Sequence, residues 1–161
     1  MTKVISLSQG KVALVDDDDY ERIKNIKFYT HHHCNKWYAR CSTDQDKKAY
    51  LHTLLLNPNI NKVCDHINGD GLDNRRCNLR IVTVSQNLMN SSKPIRKSSS
   101  CFKGVCWHKD TKKWQSQIKL NGCSYYLGLF QNEVDAAKAY DDAAILLFGE
   151  YAKLNLGRIA D

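Results

Sequence analysis

Residues 63–90, VCDHINGDGLDNRRCNLRIVTVSQNLMN, decide how this chain is to be read. Asp65 and His66 stand together after a short apolar run. Asn78 precedes a second apolar run at 79–84, and Asn87 follows shortly after. Residues 63–67 and 78–83 read as two short strands, and 68–74 between them is dense in the turn residues Asn, Gly and Asp. Thr83-Val84-Ser85-Gln86 has the T-x-x-Q form of a capping box, which predicts a helix start and places Asn87 in its first turns. A helix N-terminus suits a phosphate. A carboxylate, an imidazole and two carboxamides form a set able to hold one hard divalent cation and activate a water beside it. Hard cations take oxygen ligands, and neutral imidazole is the usual base near neutral pH.

The order strand, loop, strand, helix, with D-H, then N, then N, resembles the ββα-metal motif of HNH endonucleases, most closely the phage-type homing enzymes. The resemblance implies Asp65 and Asn87 as metal ligands, His66 as the general base that deprotonates the attacking water, and Asn78 as the residue that orients the His66 imidazole. The final histidine of the motif's name is Asn87 here. The implied cofactor is one Mg²⁺ (or Mn²⁺) per active site. Arg75, Arg76 and Arg80 are nearby candidates for phosphate contacts. His52, in YLHTLLL, also matches a histidine at the start of a similar helix. It reads as a packed histidine, with phosphate or metal contact as the alternative.

Outward from this segment, residues 1–50 read as short strands and one small helix. A strand is expected at 11–15, a helix over 16–26 opened by the aspartates Asp16–Asp19, and a strand at 36–41. The four aspartates read as a solvated helix start, because adjacent helical residues do not share a face. Residues 50–56 read as a buried helix ended by Asn57-Pro58. His31, His32, His33, Cys34 and Cys41 leave two readings open, a zinc site or an exposed polar loop. Residues 91–101, SSKPIRKSSSC, read as a basic flexible linker.

Residues 102–156 read as a second unit of three strands, 102–108, 114–120 and 124–130, followed by one helix. Asn121-Gly122 is a hairpin signal. Asn132 is an expected N-cap, Ala137, Tyr140, Ala144 and Phe148 recur at helical spacing, and Gly149 is an expected stop. KGVCW, YYLGLF, DAAKAYDDAA and GEYAKLN resemble the AP2 DNA-binding domain. That resemblance implies a sheet lying in the DNA major groove, with contacts at Lys103, Cys106, His108, Gln117, Lys119, Ser124 and Tyr126. Trp114 is expected under the helix.

The chain has 161 residues and a formal net charge of +7, which favours a polyanionic partner. Seven cysteines without a CxxC pair favour reduced thiols. No secretory signal or membrane-length apolar run is read, so a cytoplasmic setting in a bacterial or phage-infected cell is expected. The expected architecture is α+β: a leader and HNH unit over 1–90, a linker over 91–101 and an AP2-like unit over 102–156. The expected function is metal-dependent cleavage of double-stranded DNA, as a homing-type or nicking enzyme acting as a monomer, or as a dimer if both strands are cut. The alternative is a non-catalytic DNA-binding regulator.

Overall fold

The computed structural model describes residues 1–42, 48–93 and 98–157. It is a mixed α and β structure with several small antiparallel sheets and few helices. The chain divides into two compact units, Met1–Asn87 and Leu88–Asp161.

In the first unit, β1 (Thr2–Ser6) and β2 (Val12–Asp16) form an antiparallel pair. Alternation along β2 buries Ala13 and Val15 completely. Helix α1 (Asp17–Ile23) follows, with three aspartates in its first turn, where the positive end of the helix favours them. It ends three residues earlier than the acidic and apolar pattern implies.

Strands β3 (Tyr29–His33) and β4 (Lys36–Ser42) are joined by Cys34 and Asn35, whose φ values of 47° and 62° make a two-residue turn matched to strand twist. β5 (Lys48–Tyr50) pairs with β4 on the other side. Helix α2 (Leu51–Leu56) buries Leu51 and Leu55 and stops at Asn57, which is left-handed at φ 43° just before Pro58. Then come β6 (Val63–His66), β7 (Leu79–Val82) and the short helix α3 (Val84–Met89). One core of Ala13, Val15, Ile23, Phe28, Ala39, Leu51, Leu55 and Leu79 ties these small pieces together.

Two expectations change here. The histidine run is neither a loop nor part of a metal cluster. His31, His32 and His33 lie within β3, and among the described residues no group of three or more His, Cys, Asp or Glu side chains converges as a metal site. Nor is the acidic run wholly solvated. Asp19 is buried and takes two hydrogen bonds from the Arg76 guanidinium, at 2.6 and 2.7 Å, with a third from Arg22 at 2.9 Å. The bonds from Arg76 hold the Asp19 carboxyl below its usual range.

In the second unit, β8 (Val105–His108), β9 (Lys113–Leu120) and β10 (Cys123–Phe130) form a sheet in the order β10-β9-β8. Asn121 and Gly122 turn the second hairpin with φ of 51° and 84°. Helix α4 (Glu133–Phe148) lies on this sheet, burying Ala136, Ala137, Tyr140 and Ala144 against Val105 and Ile118, with Trp114 packed at the edge. Asn132 holds the N-cap position without capping through its own oxygen. Its amide donates to Asp135 instead, at 3.0 Å. Gly149, at φ 55°, ends the helix.

Asn155 bonds both ways with the Lys103 backbone, and Asp141 accepts the N–H groups of Asn155 and Leu156, so the final segment is sewn onto this unit. Residues 94–97 of the expected linker lie outside the described residues. At its described ends, Lys93 donates to the carbonyls of Phe102 and Val105, and Ser99 accepts the Trp107 N–H. The seven cysteines are free thiols. Among the described residues no helix is long and apolar enough to cross a membrane.

Candidate active site

The β6–β7 ladder sets Asp65 opposite Arg80 and His66 opposite Leu79. Asp65 and His66 are 6% and 7% exposed, respectively, and a charged or titratable group is rarely so buried without partners. Arg80 supplies them for Asp65, with its Nε donating to Oδ2 at 2.9 Å and its Nη2 2.9 Å from the same oxygen. Helix α3 opens with the expected capping box. Thr83 Oγ1 accepts the Gln86 N–H at 3.2 Å, and Gln86 Oε1 accepts the Thr83 N–H at 2.8 Å. The helix carries Asn87 to the rim of a cavity of about 340 Å³, which Asp65, His66, His52 and Gly69 also line.

The His66 imidazole is held by Asn74. Its Nε2 lies 3.4 Å from Asn74 Oδ1, within reach of a hydrogen bond that orients the ring. Burial pulls the His66 pKa below its ordinary value, against the opposing pull of the Asn74 bond and of Asp65. The ring is therefore neutral at neutral pH. His52 packs edge-on to it, with ring centroids 4.9 Å apart. Burial takes His52 down to about 3, so it carries no charge at any working pH.

Asn78 has a different task from the one its place in the motif implies. Its Oδ1 accepts the Asn68 N–H at 2.9 Å and its Nδ2 donates to the Asp73 carbonyl at 2.7 Å. Asn78 thus pins the loop that follows His66, and Asn74, within that loop, faces the imidazole. The same loop is braced by Asn68 Nδ2 to Asp73 at 3.0 Å and by the Leu14 backbone, which bonds Leu72 and Asn74 at 2.9 and 2.8 Å. Gly71 is required by close approach. A Cβ there would sit 2.4 Å from the Trp37 carbonyl oxygen and from the Tyr38 ring.

The three candidate arginines are all engaged in ion pairs. Arg75 makes a two-bond fork onto Asp73 at 2.7 and 2.7 Å, Arg76 holds Asp19, and Arg80 holds Asp65. None of them lines the cavity, whereas Lys36 and Tyr38, which the motif does not include, do. The cavity has one carboxylate and one carboxamide, Asp65 and Asn87. These are hard oxygen donors of the kind Mg²⁺ accepts while keeping several waters.

In the second unit, Val105, Ser116 and Ile118 face the helix. Alternation sends their neighbours to the other side. The register pairs Cys106 with Gln115, His108 with Lys113, Lys119 with Ser124 and Gln117 with Tyr126 on that open face. It brings His108, Gln117, Lys119 and Tyr126 together, but not Lys103. The Lys103 ammonium donates to the carbonyls of Leu88, Met89 and Ser91 at 3.1, 2.7 and 2.8 Å, and burial lowers its pKa to about 8. A lysine that satisfies three carbonyls in this way is a structural bolt.

No family model matches the chain, and no solved structure matches it. Over 157 residues it is 33% identical to an uncharacterized HNH endonuclease of Acanthamoeba polyphaga mimivirus, a match covering 94% of this chain and 79% of that protein. It is 44% identical over 70 residues to APETALA2-like protein 2 of Oryza sativa subsp. indica, covering 42% of this chain and 16% of that protein. It is 38% identical over 71 residues to an AP2-like ethylene-responsive transcription factor of Arabidopsis thaliana, covering 44% and 15%. The chain thus spans about a sixth of the length of these two plant proteins.

Proposed function

The chain belongs to the HNH endonuclease family, and from that premise we propose that it hydrolyses DNA phosphodiester bonds in a metal-dependent reaction, with His66 as general base. One observation carries the proposal: Asp65, Asn87 and a neutral, oriented His66 surround the same cavity. Asp65 and Asn87 would hold one Mg²⁺ or Mn²⁺. When bound, the ion supplies charge neutralisation at the phosphate and at the leaving oxygen.

The residues of the chain divide the remaining work. His66, oriented by its Asn74 contact, accepts the proton of the attacking water. Burial keeps the ring neutral near neutral pH. Arg80 fixes the Asp65 carboxylate. Asn78 fixes the loop that carries Asn74, so it acts on the base through that loop.

In the second unit, the open face of β8–β9–β10 is the proposed reader of double-stranded DNA. His108, Gln117, Lys119 and Tyr126 offer donors, acceptors and charge on one sheet surface. Backbone contacts at a nuclease site position the enzyme without specifying sequence, and a linked reader adds site preference, as a homing or nicking enzyme needs. One active site per chain makes a nick the product of a monomer.

The test is incubation with supercoiled plasmid and Mg²⁺, with and without EDTA. Nicking that EDTA abolishes is the expected result. Full activity in EDTA overturns the metal reading. DNA binding without cleavage in either Mg²⁺ or Mn²⁺ would leave a non-catalytic DNA-binding regulator.

A further inference from the structure

One face of the β3–β4–β5 sheet is built almost wholly of rings and cations. The register sets His31 opposite Tyr38, His33 opposite Lys36, Arg40 opposite Tyr50 and Lys48 opposite Ser42. Cross-strand partners share a face, so these side chains lie on the same side, while Thr30, Ala39 and Cys41 point into the core. Among the described residues, no carboxylate pairs with Lys36, Arg40 or Lys48.

The rings form a continuous line. His31 lies 5.8 Å from Tyr50, Tyr50 stacks on His52 at 5.2 Å, and His52 meets His66 at 4.9 Å. Tyr38 touches Tyr50 and His66, at 5.6 and 6.1 Å. Arg40 sits over the Tyr50 ring at 5.0 Å. The line runs into the catalytic cavity, which His33, Lys36, Tyr38 and Tyr50 help to line.

Cations without a carboxylate partner among the described residues call for a polyanion. Rings on the same surface call for a polyanion with flat apolar faces. In a duplex those base faces are covered by their stacked neighbours, whereas an unpaired strand offers them. We propose that this face is a track for an unpaired DNA strand leading into the cavity, with phosphates on Lys36, Arg40 and Lys48 and bases against the rings. The inference rests on the nuclease reading only for its direction, toward the scissile bond.

The test uses the full chain and two labelled probes, a single-stranded oligothymidylate and a duplex of the same length, with thermal melting to verify the fold of each variant. Lys36→Ala with Lys48→Ala removes two of the three phosphate partners. Single-strand affinity should fall about tenfold and the log–log salt slope by roughly 1.4, at about 0.7 per lost contact. Duplex affinity should change much less. His33→Ala, an exposed position that should not disturb folding, should lower single-strand affinity about fivefold at unchanged salt slope, because it removes a stacking partner and leaves the charges in place.

Unchanged single-strand affinity in both variants overturns the track. Equal losses on single strand and duplex overturn the unpaired-strand reading, since backbone contact alone would account for them. Plasmid cleavage by the unaltered protein is measured alongside. Its failure would sink the nuclease reading while leaving the binding differences to stand or fall on their own.

Discussion

The cavity of the first unit and the open sheet face of the second are built on opposite principles. Asp65 and His66 are almost fully buried, and each is held by a named partner, Arg80 or Asn74. Tyr126 is 62% exposed, and Gln117 and Lys119 stand in solvent beside it. A group that moves a proton needs a fixed position and a tuned pKa, and desolvation with a second layer of bonds supplies both. A group that reads base edges must stay exposed until the partner arrives. Substitutions in the two regions should therefore fail differently.

The largest expected effect is at the cavity. His66→Ala should lower the cleavage rate by about 10²–10⁴-fold, the usual cost of losing a general base, with DNA affinity nearly unchanged. Single-turnover cleavage and binding, measured on one substrate, check it. Parallel loss of both would make His66 a structural residue and erase the contrast with the second unit.

The same residue sets a pH signature. Its folded pKa is lowered, with burial as the main cause. The active, neutral form therefore already predominates at pH 6.5, and activity should be lost only as pH falls further. A rate–pH profile with its acid limb below 6.5 is the expected result. A limb above 6.5 would mean that a different group, or an opposite environment, governs the step.

A third effect is on stability. Asp19 joins α1 to Arg76, which immediately precedes Cys77 and the loop-pinning Asn78. Asp19→Ala strands the Arg76 guanidinium and should cost about 1–3 kcal/mol. That is below the roughly 3–5 of a fully buried pair, because the Arg76 side chain is 45% exposed. The sign with pH follows from the lowered carboxyl pKa. The contribution is complete above the ordinary value of 3.8 and is lost as pH falls below it toward the lower folded value. Denaturant titrations at neutral and acid pH, with and without the substitution, check both statements.

Much of this arrangement is legible in the chain itself. The capping box at Thr83 and Gln86, the Asn121-Gly122 turn and the alternation in β9 are local signals, and each appears where its residues place it. Asp65, His66 and Asn87, singled out together in the sequence, line one cavity. What sequence does not carry is the partner of a residue when that partner is distant or set by a loop's path. Asp19 and Arg76 lie 57 positions apart. Asn74 reads as one more turn residue, yet Leu14 holds its backbone so that its carboxamide faces His66. His31 and His33 sit in a polar run without apolar alternation, and only the pairing of β3 with β4 sets them opposite Tyr38 and Lys36. Lys103 looks like a surface cation until the backbone carbonyls around it are seen.

The smallest effects belong to the open face, and there the two kinds of contact should separate. Gln117 sits at mid-strand on β9 beside Tyr126, where a carboxamide can make paired bonds to an adenine edge. Gln117→Ala should weaken binding to the preferred site by about 1–3 kcal/mol and leave binding to unrelated DNA unchanged, relaxing preference at one base pair. Lys119 offers charge without a fixed fork, so Lys119→Ala should weaken binding to all sequences alike and flatten the log–log salt slope by roughly 0.9. Both side chains are exposed, so neither substitution should alter thermal stability or the cleavage rate at saturating DNA. Competitive binding across a randomised duplex pool, repeated at several salt concentrations, reads both outcomes. If Gln117→Ala instead changes cleavage at saturation and leaves site preference intact, sequence is read in the first unit, and the division between a buried catalytic cavity and an exposed reading face does not hold.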